Sequence, residues 1–135
     1  MSDSKKSKAE LGTELALTLF GRGPDEWTLP EPLKTYTLEH LFGDVWQGAA
    51  LDKPERSLLT CAVLTATGRE AEQRVHFKGA KNLGVPREKM VDMISHVAHY
   101  AGWPFAVSAM RILQEVWPET PSGSVSVRNP AFSYK

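Results

Sequence analysis

The feature that most constrains this chain is how its apolar residues recur: wherever they cluster they return every three or four positions, and each such run stops at Gly or Pro. That period of about 3.6 residues is the signature of an amphipathic helix, whereas a half-buried strand alternates every second residue. Lys5 to Phe20 carries Leu11, Leu15, Ala16 and Leu19 on one face and ends at Gly21, and a loop with Pro24, Pro30 and Pro32 follows. From Thr37, the run Leu38, Leu41, Phe42, Val45, Trp46 predicts a short helix with a buried stripe. Asp52 offers an N-cap with Pro54 close behind, and Leu58, Leu59, Ala62, Val63 and Ala66 form the expected core face up to Gly68. Arg69 to Leu83, Pro86 to Ala101 (Met90, Ile94, Val97, Ala101 aligned) and Phe105 to Trp117 (Phe105, Ala109, Ile112, Leu113, Val116) complete the set. Only Ser122 to Val127 alternates, and it is short and near the end. The expectation is an all-α domain of about six helices spanning 1–135, with its core over about 35–117, an N-terminal helix over 5–20 and an irregular tail over 118–135.

Sixteen basic residues balance sixteen acidic ones among 135, so the chain lacks the overall positive field that draws proteins to nucleic acid or anionic membranes. No apolar run approaches a membrane span, and the start leads into no signal-like stretch, so the expected location is the cytoplasm. Cys61 is the single cysteine, which excludes an internal disulfide, a Cys-rich zinc site and a dithiol redox pair. Its neighbours Leu58, Leu59, Ala62 and Val63 point to a buried structural thiol.

Polar residues inside well-patterned helices are the candidates for chemistry. Glu72 and His76 are four apart, as are His96 and Tyr100, so each pair shares a helical face. The short Gly84-Val85-Pro86 connection suggests that the two helices are neighbours and that both pairs converge on one pocket. His99 is a further candidate contact, and Arg56, near a helix start, could hold a carboxylate at two points. Taken singly, Glu72 with His76, or Arg56, more often forms a solvated surface group, and a tyrosine such as Tyr100 more often serves packing. Glu72, His76, His96 and His99 are competent metal ligands, but neither His-Glu-x-x-His nor paired Glu-x-x-His elements occur, so no metal is expected.

Five stretches carry a resemblance: Phe42-Gly43-Asp44-Val45-Trp46; Arg56-Ser57-Leu58; Glu72-Gln73-Arg74-Val75-His76; Gly84 with Pro86-Arg87-Glu88; and His96-Val97-Ala98-His99-Tyr100-Ala101-Gly102-Trp103-Pro104. From Glu39 to Val116 the chain resembles the carboxymuconolactone decarboxylase family, within the alkylhydroperoxidase D-like superfamily. Matching His76 to the histidine of the peroxidase branch's Cys-x-x-Cys-x-x-x-His motif puts Arg69 and Glu72 at the cysteine positions, so the resemblance is to the decarboxylase branch. Gln73 stands where an apolar residue is usual and Asp92 replaces a common Glu. The resemblance implies a cofactor-free helical enzyme, a homo-trimer or homo-hexamer, that decarboxylates 4-carboxymuconolactone or a related small anionic lactone in aromatic catabolism. The roles expected are Arg56 and His99 binding substrate, His96 and Tyr100 donating hydrogen bonds to an enolate oxygen, and Glu72 with His76 delivering a proton. The alternatives are a non-catalytic helical oligomer or binding subunit, a related secondary-metabolism enzyme, and peroxidase activity through Cys61 with a partner's thiol.

Overall fold

Ser7 and Asp52 open two of the helices in the same way. Each side chain accepts from the backbone N–H three residues on, while Glu10 or Glu55 reaches back to the cap's own N–H. These reciprocal bonds satisfy donors that a helix start otherwise leaves open. In the computed structural model, which describes residues 5–120, six α-helices follow: α1 (Lys8–Phe20), α2 (Leu33–Thr35), α3 (Lys53–Ala66), α4 (Glu70–Asn82), α5 (Arg87–Ala101) and α6 (Trp103–Val116). The described residues contain no strand, as the spacing predicts. The alternating run 122–127 and most of the tail lie outside the described residues.

Two clusters form the interior. Cys61, Phe77, Ala80, Met90, Ile94, Ala98, Ala109, Ile112 and Leu113 knit α3 to α6, and Leu15, Leu19, Phe42 and Trp46 hold α1 against the segment that precedes α3. That segment departs from the simple helix read from its spacing. The chain runs from α2 into a π-helical stretch, Tyr36–Phe42, and then a 3₁₀ turn, Val45–Gln47. The wider π turn breaks the 3.6 period, so Phe42 and Trp46 are buried while Leu41 and Val45 face out. Its close seat on α1 depends on two glycines. A Cβ on Gly12 would overlap the Leu38 carbonyl, and one on Gly43 would overlap those of Lys8 and Glu39.

Two further expectations are corrected. The buried stripe of α3 is Ser57, Cys61 and Thr65, each 0% exposed, whereas Leu59 and Val63 are 56% and 55% exposed. On α6 the core is reached by Ala106 rather than by Phe105, which is 43% exposed. The short connection between α4 and α5 does not make them packing partners either. α3 and α6 each pack against both, and α4 and α5 scarcely touch.

Candidate active site

The last turn of α1 is fixed on α4 by complementary residues. Gly79 leaves a space that Leu19 fills, and Asn82 Nδ2 donates to the Leu19 carbonyl at 3.1 Å. The next residue, Phe20, thereby lies edge-on to His76 with ring centroids 5.4 Å apart, and it meets Phe42 in the same manner at 5.6 Å. His76 therefore stands at the end of an aromatic row, half-buried. Its Nδ1 is sealed from solvent without a hydrogen-bond partner, and Nε2 is the nitrogen left accessible. Burial pulls its pKa below the ordinary histidine value, partly countered by the carboxylate of Glu72. Glu72 itself is exposed on the flank of α4. His76 is thus mainly neutral at pH 7, an imidazole able to take a proton and quick to give it up.

Arg56 lies in the opening turns of α3. Its Nε donates to the Leu51 carbonyl at 3.1 Å, curling the side chain back over the helix start, and Gly48 makes room because a Cβ there would overlap the guanidinium. Among the described residues no carboxylate pairs with it. A half-buried guanidinium held in this way keeps its outer N–H groups for an anion.

The other candidates occupy the opposite flank of α3. His96 and Tyr100 stack with centroids 5.1 Å apart, and with Ala62, Val63, Ala66 and Ala101 they line an open, largely apolar groove of about 400 Å³. His99 Nδ1 lies 2.8 Å from the Ser95 carbonyl and its ring lies edge-on to Trp103 at 5.1 Å. A carbonyl only accepts, so Nδ1 carries a proton. All three are exposed, Tyr100 to 83%. Within one chain the structure therefore does not bring the two helical pairs into one pocket. No α4 residue lines the groove, and α3 lies between.

Three buried polar residues, Ser57, Thr65 and Gln73, were not among the site candidates read from the sequence. Ser57 is the turn before Cys61, and Gln73, 1% exposed, is the turn before His76. A glutamine within an otherwise apolar helical stripe was the one available signal. The Cys61 thiol donates weakly to the His76 carbonyl at 3.4 Å, and burial pushes its pKa up to about 12 despite the neighbouring Ser57 hydroxyl. A sealed, protonated thiol of this kind is not a peroxidatic nucleophile. Among the described residues no three His, Cys, Asp or Glu side chains gather as a metal site would require, and no helix is long and apolar enough to cross a membrane.

The chain is 40% identical over 78 residues to a 4-carboxymuconolactone decarboxylase of Acinetobacter baylyi, covering 58% of each protein. It is 35% identical over 77 residues to a nitrosuccinic acid decarboxylase of Metarhizium robertsii, covering 57% of this chain and 54% of that one. The match thus spans a little over half the length of each relative. Residues 31–115, more than half of the chain and the span within which the candidate side chains fall, match the model of the carboxymuconolactone decarboxylase family, and the chain belongs to that family.

Proposed function

We propose that this protein is a cofactor-free decarboxylase of a small carboxylated molecule, 4-carboxymuconolactone or a related lactone, working by acid–base chemistry in the cytoplasm. The observation that carries this reading is His76: a half-buried imidazole with lowered pKa, one nitrogen sealed and the other accessible, beside Glu72. Both relatives described above are named for decarboxylation of small acids.

In such a reaction the bond from carbon to the carboxylate breaks and its electron pair enters a conjugated carbonyl. The resulting enolate then collects a proton at carbon as carbon dioxide leaves. Arg56 suits a substrate carboxylate, since its guanidinium has no internal counterion among the described residues. His76 takes a proton from solvent at its accessible Nε2 and passes it to the enolate carbon, and the Glu72 carboxylate favours the transient imidazolium. His96 and Tyr100 donate to the enolate oxygen, where hydrogen bonds strengthen as charge develops, and His99 Nε2 lies alongside as a polar contact.

Because α3 separates His96 and Tyr100 from His76, this reading places the complete site between copies in a homo-trimer or homo-hexamer. The support is the exposed apolar flank of Leu59, Val63, Tyr100, Trp103 and Phe105, which carries the kind of surface that buries in an interface. The test is carbon dioxide release by the purified protein from 4-carboxymuconolactone and, in parallel, from nitrosuccinate. Turnover of the lactone that is abolished in His76→Ala is the expected result. Turnover of neither compound would leave a binding subunit on the same scaffold as the better account.

A further inference from the structure

Among the described residues three buried side-chain atoms lack a hydrogen-bond partner: Ser57 Oγ, Gln73 Oε1 and His76 Nδ1. All three belong to α3 or α4, which pack together. A buried polar atom left unpaired forfeits its hydration without return, so each calls for a partner. The Gln73 amide has a fixed orientation. Its Nε2 donates to the Leu64 carbonyl at 2.9 Å, and since that carbonyl can only accept, Oε1 must point the other way, closed off from bulk water.

Few donors can reach Oε1. Ser57 lies seven residues before Leu64 on α3, about 10 Å along the helix axis, too far for its hydroxyl to reach an amide anchored at the Leu64 carbonyl. His76 lies three residues after Gln73, where Cβ atoms on one helix stand about 5–6 Å apart. That spacing suits one bridging water. A water that gave both protons to Oε1 and Nδ1 would leave its own oxygen without a donor, because the backbone N–H groups from Gln73 to Phe77, which flank it on α4, are spent within the helix. With the proton on Nδ1, the imidazole donates to the water and the water donates to Oε1.

We propose that Gln73 is a positioning residue, whose Oε1 takes the Nδ1 proton of His76 through one internal water and thereby holds the neutral imidazole with its Nε2 lone pair open to substrate. This rests on the functional reading only for its consequence in turnover, because the position of the proton is observable by itself. In ¹⁵N-histidine-labelled protein at pH 8, with the His76 signals assigned by their loss in His76→Gln, two-bond ¹H–¹⁵N spectra report the tautomer. The wild type is expected to carry the proton on Nδ1, and Gln73→Glu, which keeps an acceptor, to retain it there. Gln73→Leu is expected to move the proton to Nε2 and to lower kcat with KM unchanged, by less than the roughly 10²–10⁴-fold loss of an acid–base group itself. A role for Gln73 confined to its bond with Leu64 would lower Tm and leave the tautomer in place. A proton on Nε2 in the wild type overturns the proposal, and that spectrum decides the matter even if Gln73→Leu fails to fold. A negative turnover assay would strike the functional reading alone.

Discussion

The two flanks of α3 are built in opposite senses. Toward α4 and the interior the helix presents Ser57, Cys61 and Thr65, small groups with polar atoms, fully buried. Away from the core it presents Leu59 and Val63, more than half exposed, next to the equally uncovered Tyr100 and Trp103. A helix that met only water on its outer side would reverse this distribution. The inner side has traded apolar packing for hydrogen-bonding capacity beside His76. The outer side keeps apolar area that one chain by itself leaves wet. The contrast teaches that α3 is shaped by two demands at once, a polar seam within the chain and a surface that association would cover.

The largest effect should come from the inner flank. His76→Ala is expected to reduce turnover of the substrate by about 10²–10⁴-fold, whereas Tyr100→Phe on the outer flank, which removes one donor and leaves the ring, should cost less. Steady-state rates of carbon dioxide release compare the two. Equal losses would erase the distinction drawn between the flanks.

Next comes assembly. Replacing Leu59 and Val63 together by Asp places two charges on the outer apolar face, and sedimentation should then report a 15.0 kDa monomer for the variant and, under the proposed assembly, a larger species for the parent chain. A parent chain already monomeric would remove the reason for the uncovered leucine and valine. On the inner flank, Cys61 should resist a thiol reagent in the native protein and react fully once denaturant is added, because its thiol is sealed and its pKa is pushed up to about 12. Prompt labelling of the native chain would show that α3 and α4 part readily.

The smallest effect is a pH dependence of stability. Burial lowers the His76 pKa in the folded chain, so below about pH 6.5, the ordinary value, the unfolded chain takes up a proton that the folded one resists. Stability from this residue is therefore intact above that pH, falls as the pH drops through it, and levels off below the folded-state pKa. Thermal melts of wild type and His76→Gln between pH 8 and 5 should diverge in this window. Parallel curves would mean that His76 is more open to water than its packing against Phe20 implies.

Much of the fold was legible because local signals agreed with the global packing. The Asp52 cap, Pro54 behind it, and the glycines 21, 68, 84 and 102, all at positive φ, mark helix ends that the structure keeps to within a few residues. The candidate site was legible only as residue types. Glu72 and His76 share a flank, as do His96 and Tyr100, because four-residue spacing fixes that within a helix. Which helices then become neighbours is not a local property. A short loop suggested that α4 and α5 pair, and the structure set α3 and α6 between them instead.

The amino-acid sequence by itself therefore determined the long helices, the Asp52 cap, the absence of an internal dithiol pair and the family, since each follows from local geometry or from residue identity. Tertiary structure alone decided that Leu59 and Val63 face outward, that the stretch after α2 winds as a π-helix, and that His76 and Gln73 keep buried polar atoms beside α3. Those outcomes depend on which surfaces meet across the chain, and the free energy of burying a side chain is set by the neighbour it finds rather than by its own periodicity.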